Sequence, residues 1–119
     1  MALVRHHPLP APPFMWTLDA AKQLIRERRN LNHLFLPRLA NRDHDAAWGQ
    51  IATNLFAATG FAATSRQCRT KWNALKRGYE NLQRILSNNE EGFPLASPNN
   101  FDHECFQEMS DQFWQPNSN

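Results

Sequence analysis

From Cys68 to Leu86 the residues Cys68, Trp72, Leu75, Tyr79, Leu82 and Leu86 recur at intervals of four, three, four, three and four. That rhythm keeps one narrow apolar stripe on one side of an α-helix for about five turns. The helix has a marked start. In Thr64-Ser65-Arg66-Gln67 the Thr hydroxyl and the Gln amide are spaced to satisfy two backbone N–H groups reciprocally. Its stop is marked by Asn88-Asn89-Glu90-Glu91-Gly92 with Pro94 behind. Such a helix needs partners to cover its stripe, and the rest of the chain offers only helical ones.

Leu18, Ala21, Leu24, Ile25, Leu31 and Phe35 recur near helical spacing behind the N-cap candidate Thr17, which predicts a first helix from about Leu18 to about Asn32. Pro37 forbids its continuation. Asn41 to Asp45 supply several N-caps for a second helix, whose apolar face is Ala47, Trp48, Ile51, Ala52, Leu55 and Phe56, and Gly60 fits a left-handed stop. A fourth helix is expected from about Asn100 to about Phe113, with Phe101, Cys105, Phe106, Met109 and Phe113 inward and the acids outward. No segment reads as a strand. The expected organisation is a Pro-rich leader over 1–15, a three-helix domain over 16–87, a loop over 88–96, an acidic amphipathic helix packed on the bundle over 97–114, and a tail over 115–119. The polar end Gln115-Pro116-Asn117-Ser118-Asn119 suggests that the module belongs to a longer protein. With 119 residues, 41% hydrophobic, four Trp and eight Phe, one core forms without metal or disulfide support.

Charge is distributed unevenly. Residues 1–87 hold 13 basic and 5 acidic groups, and residues 88–119 hold 6 acidic groups and no basic one. A basic body points to a polyanionic partner, from which the acidic segment should pack away. On the third helix Arg66, Thr70, Asn73, Arg77, Asn81 and Arg84 fall within roughly 40° of the direction opposite the stripe, flanked by Arg69 and Lys76. An Arg, Asn and Thr face suits the DNA major groove, since Arg bridges guanine, Asn bridges adenine, and Thr or Lys holds phosphate. A merely solvated basic face has the same composition.

The segment Gly60-Phe61, Thr64-x-x-Gln67-Cys68-Arg69-x-Lys71-Trp72-x-x-Leu75 and the distal Tyr79 resembles the third-helix signature of Myb/SANT-like DNA-binding domains of the trihelix type. Trp16-Thr17, Leu31-Asn32-x-x-Phe35 and Trp48-x-x-Ile51-Ala52 extend the similarity over residues 16 to about 86. The resemblance implies an all-α, three-helix helix-turn-helix bundle with an additional C-terminal helix. It places Trp16, Trp48, Trp72, Leu75 and Tyr79 in the core and Arg66, Arg69, Thr70, Asn73, Lys76, Arg77 and Arg84 toward double-stranded DNA. Sequence-specific binding, a part in transcription or chromatin regulation, and a nuclear location follow as expectations. Ala62 stands where the family often has a basic residue, so one phosphate contact is missing. The 31 residues between Trp16 and Trp48 and the 23 between Trp48 and Trp72 exceed a typical Myb repeat, which favours the trihelix type. The alternative is a SANT-type module that binds a histone tail or partner subunit without DNA. The acidic fourth helix could serve such a protein partner or self-association.

Other chemistry finds little footing. His6, His7, His33, His44 and His103 with Cys68 and Cys105 include no pair at zinc-ligand spacing within one element, so neither metal nor cofactor is expected. Asp43-His44-Asp45 reads as capping, with no nucleophile or oxyanion site beside it, and no enzymatic activity is expected. Both cysteines lie on apolar stripes and suit a reducing compartment. No apolar run approaches the roughly 18 residues of a spanning helix, so no membrane role is expected.

Overall fold

A computed structural model describes residues 14–36, 41–88 and 100–115. It contains four α-helices, α1 (Leu18–Asn30), α2 (Asn41–Thr59), α3 (Ser65–Asn88) and α4 (Asn100–Glu108), with a 3₁₀ turn at Asn32–Phe35 and no strand among the described residues. α1 begins where Thr17 accepts a hydrogen bond from the Ala20 N–H at 3.1 Å, with Asp19 in the favourable first turn. α2 ends where Gly60 takes φ +76°, a left-handed conformation that a residue with a Cβ adopts at a cost. Residues 1–13 of the leader, 37–40, 89–99 and 116–119 of the tail lie outside the described residues.

α1, α2 and α3 pack on one another, and α4 lies across α1 and α3. Each brings its apolar stripe to a single core: Ala20, Ala21, Leu24 and Ile25 from α1, Trp48, Ile51 and Leu55 from α2, Cys68, Trp72 and Tyr79 from α3, and Cys105 and Met109 from the α4 region. Trp48 and Trp72 share that core but face different neighbours. The Trp48 ring meets Phe35 at 5.0 Å, whereas Trp72 stacks on Phe113 at 5.4 Å and takes the edge of Trp114 at 5.5 Å. Tyr79 completes this aromatic cluster, stacked on Phe106 at 4.6 Å and edge-on to Trp114 at 5.2 Å.

Four sequence expectations are corrected. α1 stops at Asn30 rather than about Asn32, because the chain tightens into a 3₁₀ turn that turns Phe35 onto Trp48. α4 stops at Glu108 rather than about Phe113. Turns follow, with Gln112 at φ +51°, and they fold Phe113 and Trp114 back onto Trp72. Trp16 and Leu75 are half-buried, packed against the edge of the core rather than inside it. Phe56, assigned to the inner face of α2, is 56% exposed.

The least expected core member is charged. Arg28 is only 7% exposed, and its guanidinium lies 3.9 Å from the Phe35 ring centroid, 5.3 Å from Trp72 and 5.9 Å from Phe113. It donates to Asn32 Oδ1 at 2.6 Å, while its Nε–H has no hydrogen-bond partner. Burial pushes its pKa down to about 10, which leaves it protonated at neutral pH. With no carboxylate partner among the described residues, ring faces and an amide oxygen take the place of water around the charge.

Trp72 is therefore the residue at which α1, α3 and the C-terminal turns converge, and it is 1% exposed. Truncating it removes the packing surface for Arg28, Phe113 and Trp114 together. Trp72→Ala should lower the unfolding free energy by about 3–5 kcal/mol in urea denaturation. A variant with the parent's midpoint and slope would contradict this packing.

Candidate nucleic-acid interface

The placement of α3 is set by its N-terminal cap and its stripe. Thr64 N–H donates to Gln67 Oε1 at 2.9 Å and Gln67 N–H donates to Thr64 Oγ1 at 3.0 Å, closing the reciprocal cap that the sequence predicts. Burial of Cys68, Trp72 and Tyr79 then fixes the rotation of α3 about its own axis. Arg66, Thr70, Asn73, Arg77 and Arg84 are consequently exposed on one side. Arg66 and Arg77 form no ion pair among the described residues, and about 16 Å of helix separates them at 1.5 Å per residue. Arg84 donates to Asn81 Oδ1 at 2.9 Å, so these two side chains support each other one turn further on.

The two flanking cations are placed differently. Lys76 is half-buried, with Nζ 6.0 Å from the Trp72 ring centroid. Burial lowers its pKa, the charge of Arg28 lowers it further, and Glu80 partly opposes both. Lys76 thus lies against the bundle rather than standing free for phosphate. Arg69 is exposed but engaged, its Nη1 lying 3.4 Å from Asp45 Oδ1 of α2. Lys71, which the sequence left without a role, lies 5.1 Å over the Phe101 ring on the α4 side.

Much of the basic charge of the bundle is committed internally. Lys22 meets Glu104 at 3.1 Å, Arg26 makes paired bonds to both Glu108 oxygens at 3.1 and 3.2 Å, and Arg29 meets Asp111 at 2.9 Å. Arg29 also bonds the Glu108 carbonyl and approaches its carboxylate at 3.6 Å. Glu104 and Glu108 of α4 therefore face α1 rather than outward, which corrects for these two acids the expectation from amphipathicity alone. α4 faces α3 across a groove that Ala74, Gly78 and Ile85 line, roughly 90° around the helix from the Arg66 and Arg77 direction, together with Asn81 of the polar face. It leaves the exposed polar face uncovered, and it sits beside that face rather than behind it.

A family model of the Myb/SANT-like DNA-binding domain matches residues 14–114. The chain belongs to this family. The match runs past α3 through α4 to Trp114, further than the similarity over 16–86 that the signature residues alone reveal. No curated protein and no solved structure matches the chain. The Myb/SANT-like family is a non-enzymatic one, and DNA is the partner that its membership suggests.

The remaining titratable groups of this Myb/SANT-like domain have structural surroundings. Cys68 and Cys105 are free and buried, and burial pushes both thiols up to about 11. No group of three His, Cys, Asp or Glu side chains suited to a metal ion occurs among the described residues. His44 Nε2 lies 3.1 Å from the Leu36 carbonyl oxygen, and α2 already begins at Asn41, so Asp43-His44-Asp45 lies inside the helix and not at its cap. His33 is exposed and His103 lies 3.4 Å from Gln107, while His6 and His7 lie outside the described residues. No helix of the described residues is long and apolar enough to cross a membrane.

Glu108 sets an acid limit on the α1–α4 contact. Partial burial pushes its carboxyl up, but the hydrogen bond from Arg26 and the charges of Arg26 and Arg29 outweigh this and hold it below the usual carboxylate range. A folded-state pKa below the unfolded one gives stability that is present above the unfolded value and lost as pH falls through the folded value. Thermal stability should accordingly fall below about pH 4.5, the ordinary glutamate range. In Glu108→Gln the acid-side loss should be shallower, as measured by melting temperature against pH.

Proposed function

We propose that this domain binds double-stranded DNA sequence-specifically, with α3 in the major groove, as a trihelix-type member of its family acting in a nuclear transcription or chromatin regulator. The observation that carries the reading is the exposed, one-sided face Arg66, Thr70, Asn73 and Arg77 on a capped helix whose rotation is fixed by the core. Arg and Asn side chains held at successive turns match the paired donor and acceptor edges of guanine and adenine, and a helix of this diameter fits the major groove. Arg66, Asn73 and Arg77 are assigned to base edges and Thr70 to a base edge or phosphate. Arg84, with its partner Asn81, is assigned to the backbone further along the helix.

Phosphate holding rests on Arg69 and, to a smaller degree, on Lys76, whose half-buried position shortens its reach. Arg5 of the leader is a further phosphate candidate outside the described residues. The rival reading, a protein-interaction module using the acidic outer face of α4, loses support because Glu104, Glu108 and Asp111 are engaged with α1.

Selection of a preferred duplex from a random pool, followed by anisotropy titrations, tests the proposal. Asn73→Ala and Arg77→Ala should each weaken the preferred site by about 1–3 kcal/mol and relax selectivity at one base position. Arg84→Ala should weaken preferred and mixed duplexes alike and flatten the dependence of log K on log salt by about one unit. Absence of duplex binding at low salt, or intact binding after Arg66 and Arg77 are both reversed to Glu, would refute the reading.

A further inference from the structure

Arg69 stands on the flank of α3 that faces α2, and the acceptor it meets there is a carboxylate of the protein. Its Nη1 lies 3.4 Å from Asp45 Oδ1, with the two side chains 59% and 65% exposed. Asp45 belongs to α2. It sits in the first turns of α2, one residue after His44, whose ring is held by the Leu36 carbonyl at 3.1 Å and by the Phe35 ring at 5.6 Å. The pair is the one ion pair among the described residues that involves α3, and it bridges the two helices of the helix-turn-helix.

We propose that Asp45 is a positioning residue for duplex binding, acting as a latch that holds Arg69 until a DNA phosphate takes over as its acceptor. The proposal rests on the DNA-binding reading and adds a regulating residue to it. A carboxylate and a phosphodiester each present one negative charge shared by two oxygens to a guanidinium, so they compete for the same donors. An exposed pair of this kind is held weakly enough for a phosphate array to displace it. The latch lowers the sequence-independent part of the affinity. It leaves the base contact of Arg77 untouched, because that residue lies about 80° further around the helix axis.

The test is a double-mutant cycle on the full 119-residue chain, with one preferred duplex and one mixed-sequence duplex titrated at several salt concentrations. Asp45→Asn should tighten binding to both duplexes by about twofold to fivefold and steepen the slope of log K against log salt by up to about one unit. In the Arg69→Gln background the same change should alter neither quantity. Asp45→Ser should reproduce the gain, and the melting temperatures of these exposed-site variants should match the parent. Equal tightening with and without Arg69 would overturn the latch, since Asp45 would then act by direct repulsion of phosphate. No tightening with Arg69 present would overturn it as well, while parental binding shows that the DNA reading stands. If the parent binds no duplex, the underlying reading falls and the latch falls with it.

Discussion

The contact of the Arg28 guanidinium with the Phe35, Trp72 and Phe113 rings is the constraint around which the domain is arranged. A charge buried without a carboxylate is tolerated only if something polarisable surrounds it, and here three elements contribute the rings. α1 supplies the cation, the 3₁₀ turn and α3 supply two rings, and the turns after α4 supply the third. Removing any one of them would leave Arg28 with fewer partners in a site from which water is excluded. The angular setting of α3, and with it the direction of its polar face, depends on this arrangement more than on any contact made by that face itself.

Electrostatics divides the molecule into two parts with different duties. Lys22, Arg26 and Arg29 answer Glu104, Glu108 and Asp111, so the positive charge of α1 is spent on holding α4. Each exposed pair contributes little alone, but a ladder repeated over two turns fixes the register between the helices. What remains unmatched is the outer face of α3. The uneven charge along the sequence thus becomes a local field in the fold, on a face that the helix with the compensating acids borders but does not cover.

The local signals in the sequence were sufficient for much of this. Thr17, the reciprocal Thr64 and Gln67 cap, and the left-handed Gly60 act within a few residues of themselves, so spacing alone locates them. The stripe from Cys68 to Leu86 likewise fixes which side of α3 turns inward. Arg28 could not be found this way, because an arginine beside Arg26 and Arg29 looks like one more solvated base until its distant ring partners are known. The same holds for the paired acids Glu104 and Glu108 and for Trp114, whose place against the core depends on the turn at Gln112. Lys76 and Arg69 were assigned by angle, and angle cannot reveal that one rests on Trp72 and the other on Asp45.

The lid-like position of α4 has a consequence for how such a domain is delimited. A polypeptide ending at Ser87 would contain the residues of the helix-turn-helix and lack the compensating acids as well as Phe106, Phe113 and Trp114. Its surface would gain three unanswered cations on α1 and an uncovered aromatic floor at Trp72 and Tyr79. Both changes favour indiscriminate adhesion, to polyanions through the first and to apolar surfaces through the second. Tighter association by such a shortened chain would measure missing counter-charge and exposed rings rather than recognition, so the smallest unit that can report honestly on selectivity includes the C-terminal turns.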